Sequence, residues 1–279
     1  MWIDKGLIAF RGLDGPEVHL KLSLCFGKPI PHPVGRLNSG IKHAELTRIW
    51  YNQSDPDVFE VDGEELGGWL PWHFDLVYLS EVNRGGILRP LTLPRRGGET
   101  GFTDRIAAYD TLSEDLKRQI EGLSVVYKLH MNGEDQKFGR AKSVKHVSWS
   151  KNFADIVARE DRYPRVVHPL VYRQPETQRK VLNFSPWFSV EVEGMDKESG
   201  DRLLQKIGDH CVREEAAYYH RWQHGDMVLW DNWRMLHCCR GVPKDDSRLM
   251  ERTTLAGDYG LGRFERATDR IDDSMKVSV

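Results

Sequence analysis

The sequence predicts a mainly β fold with flanking helices, built as two packed sheets in the manner of a jelly roll. Short runs rich in aromatic and β-branched residues recur along the chain, bounded by turns containing Gly and Pro. Stretches near residues 113–123 and 196–211 carry apolar residues at helical spacing instead. At 279 residues the chain is within the size that all-β barrels and sandwiches reach as one unit, so residues 1–279 are read as a single domain.

The elements follow in order. Residues 6–12 read as a short buried strand, residues 26–41 as a loop because of Pro29, Pro31, Pro33, Gly35 and Gly40, and residues 45–51 as a strand. Residues 52–68 are acidic and turn-rich. Residues 72–79, with Trp72, Phe74, Val77 and Tyr78, form the strongest strand signal, and residues 86–93 give another. A turn at 94–98 leads through 101–106 to a helix that Ser113 can cap, with Leu116, Ile120 and Leu123 on one face. Residues 130–165 are polar, basic and weakly periodic, a length typical of lids. Residues 168–172 and 180–184 read as paired strands. Residues 196–211 read as a helix with Leu203, Leu204, Ile207 and Cys211 inward. Strands at 227–230 and 252–255 complete the set.

Composition narrows the function. A net charge of −2 argues against general nucleic-acid binding, which calls for a basic excess. No apolar run approaches the roughly 18 residues of a membrane span, and the N-terminus lacks the features of a signal peptide. A cytoplasmic protein is expected, with Cys25, Cys211, Cys238 and Cys239 as free thiols, since no Cys-x-x-Cys spacing occurs.

One pattern carries chemistry. Two histidines and a carboxylate on one face of a metal leave the other face open, the arrangement of non-haem iron oxygenases. A His-x-Asp on a strand sends both side chains to one side. The chain holds His43-Ala44-Glu45, His73-Phe74-Asp75 and His224-Gly225-Asp226. The first has no aromatic wall and the third sits in a polar turn. The second lies in the most apolar strand, where a buried Asp needs a partner. That partner is either a metal ion or a hydrogen bond from the neighbouring His.

The wider order of motifs decides between them. Trp72-His73-Phe74-Asp75, then Gly97-Gly98-Glu99-Thr100-Gly101-Phe102, then Trp230-Asp231-Asn232 with His237, then Arg248 and Arg252, resembles the taurine dioxygenase/2,4-dichlorophenoxyacetate dioxygenase (TauD/TfdA) family. The likeness runs from about Gly6 to Asp258. It implies a double-stranded β-helix core and oxidation of a small anionic molecule. It further implies iron(II) as the metal and 2-oxoglutarate and O2 as co-substrates, with 2-oxoglutarate released as succinate and CO2. His73, Asp75 and His237 match the iron ligands. Thr100 and Arg248 match residues on the distal carboxylate of 2-oxoglutarate. Arg252 and His32 match residues that contact substrate. The chemistry agrees, because a guanidinium binds a carboxylate bidentately and Arg248 and Arg252, four apart on a strand, share a face. Asp231 and Asn232 are expected to orient the turn carrying His237.

The chain departs from the family in two places. It begins almost at the first core strand, where the family usually has a further segment. Gly35 stands where some members place an aromatic substrate contact. As a lid, residues 130–165 would bring Lys137, Arg140, Lys142, Lys145 and His146 near an anionic substrate. Trp69, Trp72 and Trp187 are candidates for a pocket wall, although core packing is the commoner role of such residues. A homo-oligomer is expected, since dimers are the commonest assembly. Two rivals remain: a cupin-like zinc hydrolase or isomerase using Cys238 or Cys239, and an inactive jelly-roll binding protein.

Overall fold

The computed structural model describes residues 1–33 and 42–271. Its centre is two antiparallel sheets. In the larger, the order is Leu7–Phe10, Met227–Asp231, Gly85–Thr92 and Arg248–Leu255, with Leu46–Tyr51 and Pro29–Ile30 sharing the far edge. Gly85–Thr92 has a partner on each side, which is why its first six residues are all buried. Pro90 lies past the end of the Met227–Asp231 pairing and beside a register shift opposite Leu249 and Met250. A missing N–H is tolerated at such a place. The smaller sheet has the order Tyr218–His220, Thr100–Asp104, Met235–Cys239 and Leu70–His73.

The two sheets meet through their inward residues. Leu88, Val228, Trp230 and Met250 of the larger pack against Phe102 and Met235 of the smaller. A third sheet, Ser189–Val192, Ser124–Tyr127, Val166–Pro169 and Arg263–Phe264, supports the largest apolar cluster together with the helix Lys197–Cys211. Leu203, Leu204, Ile207 and Cys211 of that helix are buried, as their spacing predicts. Asp196 caps it by accepting from the Ser199 N–H at 2.9 Å, and Ser113 caps Glu114–Ile120 through the Leu116 N–H.

Several expectations change. The strand expected over 72–79 is Leu70–His73, and the chain turns immediately after it. Asp75 therefore stands in a turn, followed by Leu76 at φ +59°, so strand alternation does not bring the two side chains together. The turn-rich segment 52–68 holds a hairpin, Val58–Val61 with Glu64–Gly67, closed by Asp62 and Gly63 at φ +50° and +88°. Both positive angles belong to the turn that matches strand twist. Residues 130–165 are ordered, with strand Val144–Ser148 paired to Val58–Val61 and helix Lys151–Val157 after it. The final core strand is longer than 252–255, and Pro29–Ile30 interrupts the loop at 26–41. Gly35 and Gly40 lie outside the described residues. A four-residue helix, Trp2–Lys5, precedes the first strand. All four cysteines are free thiols. Among the described residues no helix is long and apolar enough to cross a membrane.

Candidate metal centre and adjoining cavities

His73 ends its strand opposite His237 on the neighbouring one, which puts the two rings 4.3 Å apart between centroids. Asp75 reaches them from the turn: its Oδ1 lies 3.9 Å from His73 Nε2 and 3.7 Å from His237 Nε2. One donor atom from each residue falls within 4.8 Å of the others, and all three residues are buried. His73 Nδ1 donates to the Pro71 carbonyl at 2.7 Å, which fixes the tautomer and leaves the Nε2 lone pair facing inward. Burial lowers the pKa of His73, and it pushes that of His237 down to about 3 with the help of the neighbouring His73. Both imidazoles are therefore held in the neutral form, which can ligate a metal. Burial alone would raise Asp75, but Arg252 and the two histidines hold it well below the usual carboxylate range.

Two neutral imidazoles and one ionised carboxylate, converging in a buried site, fit a divalent iron. Among the described residues no cysteine joins the cluster. Cys238 packs against Gly101, on the side of the strand away from His237, and Cys239, which lines the smaller of the adjoining cavities, is not part of the ligand group either, so the soft-ligand zinc reading has no support from the geometry. The other two His-x-acid motifs are accounted for otherwise. Asp226 accepts from Arg11 at 3.0 Å and meets His220 Nε2 at 3.0 Å, and His43 pairs with Glu17 at 3.1 Å.

Asn232 fixes the turn. Its Oδ1 accepts from the Asp75 N–H at 2.8 Å and its Nδ2 donates to the Asp75 carbonyl at 3.0 Å. Asn232 thus holds Asp75, whereas Asp231 serves the turn that leads into the strand of His237, as expected. Asp231 pairs with Arg84 at 2.9 Å and caps the Trp233 N–H at 3.0 Å. Sequence reasoning missed this clamp because the two residues lie 157 positions apart.

Arg248 and Arg252 are both buried on the inner face of Arg248–Leu255. Glu251 points the other way and binds Arg89 at 2.8 Å. The Arg248 Nη2 lies 3.4 Å from Thr100 Oγ1, which also accepts from Trp222 Nε1 at 3.0 Å. Gly98, at φ +76°, lets the preceding turn close over this arginine: a Cβ there would stand 3.2 Å from Arg248 Cδ. Arg252 Nη1 meets both Asp75 oxygens at 3.1 Å.

Two cavities meet at the cluster. The smaller lies between the sheets and touches His73, His237, Thr100, Arg248 and Arg252. The larger, about 190 Å³, is walled by Trp50, Tyr78, Trp187 and Phe188, with His32 and Arg252 also on its surface. Met131, Ser150, Asn152, Phe153 and Ile156 reach it from the 130–165 segment. The basic residues of that segment do not line it. Lys137 donates to the Val190 carbonyl, and His146 pairs with Asp57. Trp187 lines this cavity, whereas Trp69 and Trp72 line a groove on the far side of Leu70–His73.

The chain matches the model of the "Taurine catabolism dioxygenase TauD, TfdA family" over residues 1–254. It is 33% identical to an (S)-phenoxypropionate/alpha-ketoglutarate-dioxygenase of Sphingobium herbicidovorans, covering 92% of this chain and 84% of that one. It is 29% identical to an alpha-ketoglutarate-dependent 2,4-dichlorophenoxyacetate dioxygenase of Cupriavidus pinatubonensis, covering 91% and 86%. In fold it is similar to a putative alpha-ketoglutarate-dependent taurine dioxygenase from Burkholderia xenovorans, with TM-score 0.69, 23% identity and coverage of 94% and 85%. Another similar fold, AAD-2, was solved with Mn(II) and N-oxalylglycine (TM-score 0.68, 24% identity, 92% and 86% covered). Sequence and fold therefore agree: the chain belongs to the TauD/TfdA family and is an iron(II)- and 2-oxoglutarate-dependent dioxygenase.

Proposed function

We propose that His73, Asp75 and His237 hold iron(II), that Arg248 and Thr100 hold the distal carboxylate of 2-oxoglutarate, and that the larger cavity takes a small organic acid. The observation that carries this reading is the smaller cavity, which touches both histidines and the Thr100–Arg248 pair. A keto acid chelated at one end and carrying a carboxylate at the other needs those two groups in one enclosed space. Bound there, iron(II) supplies the O2 activation that couples conversion of 2-oxoglutarate to succinate and CO2 with oxidation of the substrate.

The protein's part is binding and orientation. Arg248 keeps its charge at any working pH and offers a planar fork to a carboxylate. Trp222 donates to the Thr100 oxygen, so the hydroxyl's own proton is left to donate to the ligand. Arg252 offsets the buried charge of Asp75 with one nitrogen, and its remaining donors face the substrate's acid group together with His32. The aromatic walls exclude water around the reacting carbon. We also read the two facing sheets as a double-stranded β-helix, with residues 1–279 as one catalytic domain.

The phenoxypropionate and 2,4-dichlorophenoxyacetate dioxygenases named above act on aryloxyalkanoates, and a further relative, 27% identical over 93% of this chain and 76% of its own, is an alkylsulfatase from Acinetobacter baylyi. An anionic group on a compact organic frame is the feature we carry over. The test is an anaerobic titration of metal-free protein with iron(II) and 2-oxoglutarate, followed by the visible charge-transfer band of the chelate. The band forms in the wild type and is lost in His73→Ala. Folded, metal-loaded wild type without the band would sink the reading.

A further inference from the structure

Outside the metal centre, the larger cavity has a second polar group that the reaction described above leaves unused. Asp57 lines it with its side chain 12% exposed, and His146 Nε2 lies 3.3 Å from Asp57 Oδ1. The imidazole is held from both sides, stacked on Phe59 at 4.3 Å between centroids and edge-on to Trp149. The Ser150 N–H, at the start of helix Lys151–Val157, also bonds the carboxylate. Burial raises the Asp57 pKa, while His146 and the Ser150 bond oppose that rise. Among the described residues no ion pair or hydrogen bond joins Asp57 to His73, His237 or Arg252: Asp57 pairs with His146 and Arg252 with Asp75, so the cavity has two separately built polar regions. Ser150 and Asn152 extend this second region along the wall.

A buried carboxylate facing an apolar, aromatic-lined space is costly unless something donates to it. His146 and Ser150 satisfy it in part, and the exposed portion faces the cavity. A ring-sized occupant fits, since a cavity of about 150 Å³ holds benzene and this one is about 190 Å³. Resting on the proposed function, which places the substrate's acid group beside Arg252 and the iron, we propose that Asp57, positioned by His146, binds a hydrogen-bond donor on the opposite end of the substrate. The substrate class is then narrower than a small organic acid: a single-ring or equally compact acid bearing a hydroxyl or amino group remote from the acid. An unsubstituted aryloxy acid leaves Asp57 facing apolar surface and binds less well.

The test uses phenoxyacetate and its 4-hydroxy and 4-amino derivatives as probes. The protein is loaded anaerobically with iron(II) and 2-oxoglutarate. Probe binding is read by quenching of the cavity tryptophans Trp50 and Trp187, and the chelate band is recorded in the same samples. The 4-hydroxy and 4-amino probes are expected to bind at least about tenfold more tightly than phenoxyacetate, the scale on which a site built for a donor rejects an analogue lacking it. Asp57→Asn keeps the size of the side chain and removes its charge. It should erase most of the preference for the 4-amino probe while leaving phenoxyacetate affinity and the chelate band unchanged. His146→Gln, which loosens the same carboxylate, should erase it in part and serves if Asp57→Asn folds poorly. Equal binding of the three probes by wild type overturns the proposal, as does an equal loss for all three in Asp57→Asn, which is the mark of a merely structural aspartate. Selective probe binding without a chelate band supports this proposal and sinks the iron reading instead, so the two failures are told apart.

Discussion

The two cavities that meet at His73 are built differently. The smaller is enclosed by strands: Thr100 and Phe102 come from one, His237 from its neighbour, and Leu88, Trp230, Arg248 and Arg252 from the facing sheet. Ladders of backbone hydrogen bonds fix every one of those positions. The larger adds a wall of turns and loops to strand residues such as Ile49 and Trp50 and to the helix Lys151–Val157. Leu76 and Tyr78 come from the turn after Asp75, Met131 and Ser150 from the connection above, and Trp187 and Phe188 from the approach to Ser189–Val192. Two of these, Leu76 and Phe188, hold positive φ values of +59° and +76°, a conformation that costs a bulky residue about 1–2 kcal/mol and persists only where packing enforces it. A rigid chamber suits a co-substrate that never changes. One walled in part by loops suits a substrate that differs among relatives.

The largest effect that sharpens this division is Arg248→Ala. Loss of a charge-assisted pair to the distal carboxylate should raise the 2-oxoglutarate requirement about 100-fold, with little change in binding of the organic acid. Stopped titrations with each ligand separately measure this, and an equal loss for both would erase the distinction between the cavities. Arg248→Lys should recover only part of the loss, because an ammonium cannot present the planar fork.

Asn232→Ala comes next. It removes the clamp on the Asp75 backbone, and supporting contacts of this kind are worth about 10–100-fold in metal affinity. Competition with a metal chelator reads it directly. Unchanged iron affinity would show that packing alone holds the turn. A smaller change, confined to the loop-walled side, is expected from Trp187→Ala, which should weaken organic-acid binding about tenfold and leave the 2-oxoglutarate titration alone.

Some strand positions came through in the sequence because alternation and order survive in one dimension: Arg248 and Arg252 do share a face, and Met227–Asp231 and Leu46–Tyr51 fall close to where the apolar runs put them, but Thr100–Asp104 and Met235–Cys239, which carry Thr100 and His237, were not read as strands. That His73, Asp75 and His237 come together was read from motif and order, though the reasoning from strand alternation was wrong for Asp75. A turn with Leu76 in the left-handed region carries no local signal, since leucine rarely adopts it. The hairpin at 58–67 had a signal that went unread: Asp62-Gly63 between apolar runs is the usual mark of a two-residue turn, masked here by surrounding acidic residues. The Asp57–His146 pair joins residues 89 apart, and periodicity does not reach so far.

The gentlest probe of the comparison is pH. His168, on Val166–Pro169, braces the turn that carries Asp75: its Nε2 donates to the Leu79 carbonyl at 2.9 Å, and its Nδ1 accepts from the Tyr259 hydroxyl. Burial pushes its pKa down to about 4 from the ordinary 6.5. The folded pKa lies below the unfolded one, so the unfolded chain binds the extra proton between them. His168 therefore adds full stability above about pH 6.5, and this is lost as pH falls toward 4. By linkage the loss between pH 8 and pH 6 is about 1 kcal/mol. Urea unfolding at the two pH values measures it. His168→Gln, which can still donate to Leu79, should reduce the dependence by that amount and leave the share that His73 and His237 contribute. If the loop-walled side is the softer one, amides of residues 74–79 should lose hydrogen-exchange protection on this acid shift before those of Thr100–Asp104 do. Equal loss in both segments would mean that the turn and the strands open as one unit, and the contrast between the cavities would then be one of shape alone.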